Sequence, residues 1–493
     1  MIAQHLPILQ VVLPLLAAPI CMFIRHPRVV WMWAFVTAWL CLPMSVGLLL
    51  KVLEQGTIVY NLGGWAAPWG IEYRIDILNS FVLIIVSMIG AIVLPFARRS
   101  VEREIPQKRI YLFYTMLLLC LAGLLGMTIT GDAFNLFVFL EISSLSTYVL
   151  ISFGKDRRAL TAAYRYLIVG TIGATFYIIG VGLLYMATGS LNIADLAVLI
   201  PNIGGNRTVQ SGMAFLIIGL ALKAALFPMH MWLPNAYTYA PSVVSIFLSA
   251  TATKVAVYAF IRVVFSIFGD VNILEILPVR NMLMVLAIAA MVIGSAAALY
   301  QTDVRRLFAY SSIAQIGYII LGISFDSVTG VTAGVVHLFN HALMKGGLFM
   351  VLGLLAYQIG STKIQDIAGL GERMPLTMAA LVIGGLGLIG MPLTAGFISK
   401  WYLIQAAIDI GLWPIAFIIV LSSILTVVYV WRIVEVIYFH RPVNPINDID
   451  RAPISMVAPM WILIGATIFF GINTNATLEI AGAAAKALLA GGV

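Results

Sequence analysis

The chain of 493 residues is divided into about 14 continuously apolar segments, each near the length of a membrane-spanning helix. A helix rises about 1.5 Å per residue, so roughly 20 residues cross the roughly 30 Å of hydrocarbon in a bilayer. The segments do not alternate apolar and polar residues with period two, which excludes an outer-membrane barrel. Only 10% of the residues are charged, so a soluble enzyme is also excluded. We predict an all-α polytopic membrane protein.

The predicted spans are numbered 1 to 14 in chain order. They lie near residues 5–24, 30–50, 78–97, 110–129, 133–153, 161–187, 210–233, 242–265, 281–301, 304–323, 328–357, 375–409, 413–437 and 455–473. The start, MIAQHLPILQ, has neither the basic region nor the cleavage site of a signal peptide, so span 1 is expected to be retained. The spans form four units: N-terminal spans 1–3 (1–109), a first repeat (110–265), a second repeat (266–437) and span 14 (438–493).

Basic residues concentrate in alternate loops. If the loop that runs from Arg98 to Arg109 is cytoplasmic, most loop lysines and arginines fall inside. Those left on the opposite face are Lys51, Arg74, Arg207, Arg280 and Lys486. This bias is the one that the positive-inside rule predicts. We therefore expect the inner (cytoplasmic) membrane with both termini on the outer face, and we attribute the net charge of +8 to topology and not to a nucleic-acid partner.

Four lysines lie inside spans, and three of them are deep enough that a lipid-facing position would cost several kcal/mol. The deep ones are Lys223, Lys254 and Lys400, in spans 7, 8 and 12, while Lys345 in span 11 is intermediate. An inward-facing functional role is the default interpretation of such residues. Glu141 in span 5 is the one acidic residue placed near the middle of a span, so it is expected to pair with a buried lysine.

Other polar residues within spans have ordinary explanations. Three arginines near span ends are expected to reach the lipid interface as anchors: Arg165, Arg262 and Arg432. Three cysteines lack the spacing of a disulfide or metal motif and are expected to fill the core: Cys21, Cys41 and Cys120.

Spans 7 and 12 are interrupted by proline and glycine. Span 7 reads LALKAALFPMHMWLPNAY, in which Pro228 and Pro234 each lack a backbone donor. Span 12 reads LIGMPLTAGFISKWY, with Pro392 between Gly390 and Gly396. Each interrupted span is the fourth of five, and an odd-numbered repeat must be inverted in the membrane. Two inverted five-helix repeats with discontinuous helices 7 and 12 indicate a secondary transporter whose ion path lies at mid-depth.

Span 11 carries a polar stripe, because His337, His341 and Lys345 are spaced by four residues in VVHLFNHALMKGG. Two histidines four apart also occur in zinc proteases, but Leu338 stands where that motif needs glutamate, and no third ligand is evident. A hydrogen-bonding stripe between helices is a second interpretation. We favour a proton relay, because histidine exists in both charge states near neutral pH.

Span 10 has hydroxyl and amide side chains along one side, in DVRRLFAYSSIAQIGY. These are Ser311, Ser312, Gln315 and Tyr318. Polar contacts that hold helices together are the favoured interpretation, and a hydrated path is the alternative. The chain contains no phosphate-binding loop, no dinucleotide fingerprint, no haem motif and no iron–sulfur cysteine set, so nucleotide hydrolysis and redox chemistry are not expected in it. No cofactor and no metal site are predicted.

The residues of four segments resemble a known family. The segments are TGDAFNLFVFLEISSLSTYVLIS, ALKAALFPMHMWLPNAYTYAPSVVSIFLSATATKVAVYAFIRV, DVRRLFAYSSIAQIGY and HLFNHALMKGGLFMVLG. They resemble the proton-pumping antiporter-like subunits shared by respiratory complex I, membrane-bound hydrogenases and Mrp cation/proton antiporters, over about residues 75–435. The D-type member of the Mrp antiporters is the most similar one, given the NAYTYAPS run and the chain length.

The resemblance implies a set of proton-transfer residues. They are Glu141, Lys223 beside the break, Lys254, His337 and Lys400. Secondary candidates are His341, Lys345, His230, Gln315 and Ser311. Gln315 stands where many relatives have histidine, and Asn235 and Tyr237 replace the aspartate and histidine that often follow WLP. Because only a short segment follows span 14, the long lateral helix of the largest relatives is not expected here, and Lys400 stands where one complex I subunit has glutamate.

These residues predict a proton-translocating subunit of a multisubunit sodium/proton antiporter, and not an enzyme. Its expected partners are other membrane subunits, protons and sodium. A proton-pumping subunit of complex I or of a membrane-bound hydrogenase is the first alternative. A structural subunit without transport of its own is the alternative from another class. Lys254 and Lys400 have no acidic partner within a span, which argues against a role in packing alone. An organic-substrate carrier is the third class, but the lysine and histidine series favours protons.

Overall fold

The structure is a computed structural model and describes residues 4–203, 205–269, 279–441 and 451–491. Nearly all of this part of the chain is helical. The helices of the first half are α1 (Leu6–Phe23), α2 (Pro27–Gln55), α3 (Ile77–Glu104), α4 (Ile110–Ile129), α5 (Ala133–Ser152), α6 (Arg158–Thr188), α7 (Ile193–Leu199), α8 (Arg207–Lys223), α9 (Leu233–Tyr239), α10 (Ser242–Ala250) and α11 (Ala252–Ile261). Those of the second half are α12 (Val279–Leu299), α13 (Val304–Ser324), α14 (Val328–Gln358), α15 (Leu370–Arg373), α16 (Pro375–Ile389), α17 (Ala395–Asp409), α18 (Trp413–Phe439), α19 (Ile454–Ile472) and α20 (Asn475–Leu489).

Twelve helical segments of the described chain are long and apolar enough to cross a membrane. They correspond to all the predicted spans except 7 and 12, which are divided into α8 and α9 and into α16 and α17. The prediction of an all-α membrane protein with discontinuous helices 7 and 12 is therefore confirmed. The inverted repeat and the division into four units stay predictions.

The break in span 7 follows α8. Ala225 adopts the left-handed conformation with φ of 55°, and Pro228 and Pro234 have no N–H to continue the helix. One carbonyl freed by the break is that of Leu222, which accepts a hydrogen bond from the indole of Trp232 at 3.0 Å. The chain therefore leaves the helix at mid-depth without leaving this carbonyl unpaired.

The break in span 12 separates α16 from α17. Gly390 ends α16 with φ of 85°, a conformation that glycine adopts without steric cost. Leu393 is also left-handed, with φ of 70°, and Pro392 prevents the helix from resuming before it. The last carbonyls of α16 consequently face the interior and need donors from elsewhere.

Span 8 contains a further discontinuity that the sequence did not predict. Thr251 separates α10 from α11 with φ of −124° and ψ of −59°, and its hydroxyl donates to the carbonyl of Phe247 at 2.6 Å. Neither glycine nor proline marks the place, so nothing in the local sequence signalled it. The span ends in a π-helical segment, Arg262–Ile267, which contains the predicted boundary between the two repeats at residue 265.

Two elements lie at one face of the bundle. The strands β1 (Ile58–Asn61) and β2 (Glu72–Ile75) form an antiparallel hairpin between α2 and α3. The C-terminal helix α20 reaches the same face, since its residue Leu488 lines a cavity together with Asp76, which follows β2. We call this side the hairpin face. The opposite side carries the loops with Lys155, Arg305 and Lys363, and we call it the basic face.

The spans that carry the predicted site lie at the centre of the bundle. In α14, every residue of the apolar stretch that could cross a membrane is buried, and in span 8 and α13 94% of that stretch is buried. In α6, α12 and α18 only 39% of the equivalent stretch is buried, so these helices form the periphery. Polar residues on the central helices therefore face protein and not lipid.

Candidate functional site

Glu141 and Lys223 meet between α5 and α8. The Nζ atom of Lys223 lies 3.6 Å from Oε1 of Glu141, and it donates hydrogen bonds to the hydroxyls of Ser144 at 2.6 Å and Tyr148 at 3.4 Å. The lysine side chain is 5% exposed and that of the glutamate 24%. Lys223 is the last residue of α8, so the ion pair lies where the helix breaks.

Tyrosines continue from this pair toward span 8. The ring of Tyr166 contacts that of Tyr148 edge to face, with 4.8 Å between centroids, and stacks on Trp232 at 3.8 Å. Tyr237 lies within electrostatic reach of Tyr166 and donates to the carbonyl of Leu248 in α10 at 3.2 Å. The sequence did not single out Tyr148 and Tyr166, because tyrosines in apolar spans are common packing residues, and Tyr237 was noted only as a departure from the residues that often follow WLP.

Lys254 lies just after the discontinuity in span 8. Its side chain is 1% exposed, and Nζ donates to the carbonyl of Ser249, across the kink at Thr251. No acidic side chain forms an ion pair with it among the described residues. The lysine thus satisfies a carbonyl that the kink releases.

Two residues of α14, Lys345 and His341, lie beside Lys254. Lys345 donates to the carbonyl of Phe308 at 2.7 Å and to the hydroxyl of Ser311. His341 is fully buried and lies near both lysines. Neither of its ring nitrogens has a hydrogen-bond partner in the described part of the chain. Buried polar atoms are normally hydrogen-bonded, and histidine can bind or release a proton near neutral pH, so this ring has two sites at which water or a proton could bind.

His337 lies one turn earlier on α14. Its Nδ1 atom is 2.7 Å from the hydroxyl of Ser399, and its Nε2 atom is 2.9 Å from Oε1 of Gln315. The rings of His337 and His341 are nearly parallel, with 6.2 Å between their centroids. Gln315, which replaces the histidine of many relatives, therefore still contacts the predicted relay, and Ser399 joins it without having been predicted.

Lys400 lies on α17 at the second break. Its Nζ atom donates to the carbonyls of Leu388 at 2.9 Å and Ile389 at 3.0 Å, the last residues of α16, and to the hydroxyl of Ser423 at 3.0 Å. It also lies 4.6 Å from the centroid of the Tyr318 ring. The lysine caps the C-terminus of α16, where the helix dipole favours a positive charge.

The structure brings the predicted residues into one buried row between the two breaks. The row contains the ion pair of Glu141 and Lys223 at the first break, Lys400 at the second, and four residues of the central helices, which are Lys254, His337, His341 and Lys345. His230 does not join it, because its ring lies in the break of span 7 and stacks on Phe227 at 5.3 Å. Within the described ranges, no three His, Cys, Asp or Glu residues are grouped as metal ligands would be. Each residue of the row is of a type that can bind and release a proton.

The prediction that Arg262 is a lipid anchor is wrong. The residue is 8% exposed, and its guanidinium pairs with Asp76 at the start of α3. The error arose because position near a span end does not reveal which side of the helix faces lipid. Arg432 is partly buried and donates to the carbonyl of Leu299, while Arg165 is exposed.

Comparison with known proteins identifies the family. Residues 130–426 match the family described as NADH:quinone oxidoreductase/Mrp antiporter, TM. NADH-quinone oxidoreductase subunit N of Desulforudis audaxviator is 40% identical over 483 residues, covering 95% of this chain and 96% of that protein. A putative antiporter subunit mnhD2 of Staphylococcus aureus is 29% identical over 481 residues, covering 97% and 95%.

A solved structure of an antiporter complex contains a chain with the same fold. A chain of the Mrp complex from Dietzia sp. DQ12-45-1b superimposes with a TM-score of 0.90 at 26% identity, over 99% of this chain and 98% of that one. The resemblance to antiporter-like subunits, including the D-type member of the Mrp antiporters, is thus confirmed, and such subunits work within multisubunit membrane complexes. The chain belongs to the NADH:quinone oxidoreductase/Mrp antiporter transmembrane family.

Proposed function

We propose that this antiporter-like subunit passes protons along the buried row from Glu141 to Lys400, as part of a multisubunit sodium/proton antiporter. One observation carries the proposal: four buried lysines and two buried histidines follow one another across the centre of the bundle, and of these lysines only Lys223 has a carboxylate partner in the described chain. A packing role would favour paired charges, because an unpaired buried charge is costly.

The first step of transfer takes place at the ion pair. While Glu141 lies beside Lys223, the ammonium group is stabilised by the carboxylate and by the hydroxyls of Ser144 and Tyr148. Moving the carboxylate away leaves a buried cation without a counter-charge, so the proton moves on. Tyr166 and Tyr237 line the way toward Lys254, which gives its proton through His341 and His337 toward Lys400.

The sodium path is proposed to lie in another subunit. A desolvated sodium ion needs several oxygen ligands, and a row of buried cations repels it. Glu141 is the one carboxylate of the described spans that lies near the middle of a helix. The membrane is proposed to be the inner one, with the hairpin face and both termini outside, because the loops of the basic face carry most of the lysines and arginines.

A second function, proton pumping within a respiratory complex, is favoured by one observation. Identity to the complex I subunit N is 40%, against 29% for the antiporter subunit. The subunits that copurify with the tagged chain decide between the two. Cation-transporter partners and sodium-dependent acidification support the antiporter, whereas quinone or hydrogenase modules, with proton pumping independent of sodium, support the alternative.

Substitution of Lys254 by methionine tests transport itself. Methionine fills a similar volume without a charge, and removal of the desolvation cost of the buried charge offsets the loss of the donor to the carbonyl of Ser249, so the complex should assemble. We expect the translocation rate to fall by about tenfold or more, because the proton path loses a central acceptor. The measurement is pH-gradient formation in vesicles that carry the assembled complex. Wild-type rates in the Lys254→Met variant would indicate that the buried row has a structural role and does not carry protons.

A further inference from the structure

A second buried ion pair lies at the hairpin-face end of span 8. Asp76 is the N-cap of α3, and its Oδ2 atom accepts a hydrogen bond from the guanidinium of Arg262. Arg262 also donates to the hydroxyls of Tyr258 at 3.0 Å and Ser266 at 3.4 Å. The side chain of Asp76 is 23% exposed and that of Arg262 is 10% exposed, so the carboxylate is the more accessible partner.

A stripe of polar residues lies along span 8 between Lys254 and the pair. Lys254, Tyr258, Arg262 and Ser266 are spaced by four residues, which places them along one side of span 8. The hydroxyl of Tyr258 accepts from Arg262 and donates to the carbonyl of Thr128 at 2.9 Å. Asp76 is therefore the acidic end of a polar series that starts at the central lysine.

Two cavities flank the pair. One of about 100 Å³ is lined by Asp76 and Arg262 together with Gly56 and Leu488, and it lies under the hairpin and α20. The second, of about 20 Å³, is lined by Tyr258, Arg262 and Ser266 of span 8 and by Arg74 and Thr130 among its other residues. A cavity needs about 10–15 Å³ to admit one water molecule, so both have the volume for water.

We propose that Asp76 is the proton-exchange residue at the hairpin face, and that Arg262 positions its carboxylate toward span 8. The inference rests on the proposed function, since it supplies the connection from Lys254 to that face. In the transfer, the carboxylate of Asp76 takes a proton from water at the hairpin face and becomes an acid. The acid then gives this proton through water in the adjoining cavities to the amine of Lys254, which becomes an ammonium and passes the proton on along the row.

Arg262 cannot be the carrier. A guanidinium keeps its proton under physiological conditions, so only the carboxylate of the pair changes its charge. The arginine instead holds Asp76 on the side of Tyr258, and its fixed positive charge opposes the entrance of cations from the hairpin face.

The structural role of Asp76 can be separated from proton exchange. Its Oδ1 atom accepts from the backbone N–H of Asn79 at 3.0 Å, and asparagine is an equally good N-cap. Asp76→Asn keeps this cap but cannot carry a proton. The double variant Asp76→Asn, Arg262→Gln also removes the unpaired arginine, so a purely structural ion pair would be replaced by a neutral one at little cost.

The experiment measures proton translocation by the assembled complex in vesicles, with complex abundance as the control for assembly. We expect Asp76→Asn and the double variant to assemble normally and to translocate protons at least about tenfold more slowly, while Asp76→Glu keeps a substantial part of the rate. Normal rates in Asp76→Asn, or recovery in the double variant, would overturn the inference. Lys254→Met in the same assay separates the two proposals: if only that variant is inactive, the proposed function stands and Asp76 is a structural residue.

Discussion

The two broken helices each carry a buried lysine, but its positive charge is balanced differently. At the first break, Lys223 ends α8 and faces the carboxylate of Glu141. At the second, Lys400 lies beyond the break and caps the last carbonyls of α16. A carboxylate is a mobile full charge on another helix, whereas the carbonyls are fixed partial charges of the same span.

The energies of the two arrangements differ as well. At 3.6 Å and an effective dielectric constant near 20, the attraction between Glu141 and Lys223 is about 4–5 kcal/mol before desolvation is counted. A cation at a helix C-terminus gains about 0.3–2 kcal/mol. Movement of α5 relative to α8 would therefore change the stability of the protonated form of Lys223 strongly. The carbonyls that hold Lys400 belong to its own span, so its environment stays nearly the same. The first break is suited to switching and the second to holding a proton.

Removal of the carboxylate at the first break should have the largest effect. We expect Glu141→Gln to lower proton translocation by about tenfold or more, because Lys223 then has no counter-charge whether α5 lies close to α8 or has moved away from it. Vesicle acidification by the assembled complex measures this, and Glu141→Asp should keep part of the rate. The double variant Glu141→Gln, Lys223→Met should be no slower than either single variant, since the two residues act as one unit. Fully additive losses from two partly active single variants would contradict the switch.

Removal of the cap at the second break should act on stability as well as on transport. Lys400→Met leaves the carbonyls of Leu388 and Ile389 without their donor, and a buried unsatisfied group costs about 1–3 kcal/mol. We expect a lower thermal unfolding midpoint for the purified complex than Lys223→Met produces.

Lys400→Arg is the matched control. Arginine retains the positive charge and the donors, so stability should recover, but it keeps its proton and transport should stay slow. If Lys400→Arg restores translocation, the residue only caps the helix. If Lys400→Met unfolds at the wild-type temperature, the carbonyls find other donors and the contrast between the breaks is lost.

The positions of the spans and of the two breaks could be predicted from the sequence, because hydropathy and the prolines near residues 228 and 392 mark them. Glu141 and Lys223 could be paired because each is isolated in an apolar span. The kink at Thr251 could not be predicted, since its hydroxyl donates to the carbonyl of Phe247 but the same bond occurs at threonines within uninterrupted helices. No local pattern shows which residue lies opposite another.

The same limit explains the missed partners. Ser399 and Ser423 are ordinary small polar residues in the sequence, and only the folded arrangement places them against His337 and Lys400. Arg262 was misinterpreted for a related reason, because its partner Asp76 lies 186 positions away in the chain. A four-residue spacing from Lys254 through Tyr258 to Arg262 is present in the sequence, and it is the signal by which the polar stripe of span 8 could have been found.

Removal of one hydroxyl group at each break should have the smallest effects on the translocation rate. The two variants compare how strongly each lysine depends on a hydroxyl partner. Ser144 accepts the shortest hydrogen bond of Lys223, at 2.6 Å, and Ser423 accepts one of three from Lys400, at 3.0 Å. Ser144→Ala removes a partner of the switched state, and the loss of a bond to a charged group costs about 1.5–3 kcal/mol. We expect a severalfold slower translocation rate.

Ser423→Ala leaves Lys400 with two carbonyl acceptors, so the translocation rate should change by less than about twofold. Both substitutions remove one oxygen atom from a helix without changing net charge, which makes the two variants controls for each other. Initial rates of vesicle acidification, normalised to complex abundance, give the comparison. Equal effects of Ser144→Ala and Ser423→Ala would show that both lysines depend on their hydroxyl partners alike, and the assignment of switching to the first break alone would then be wrong.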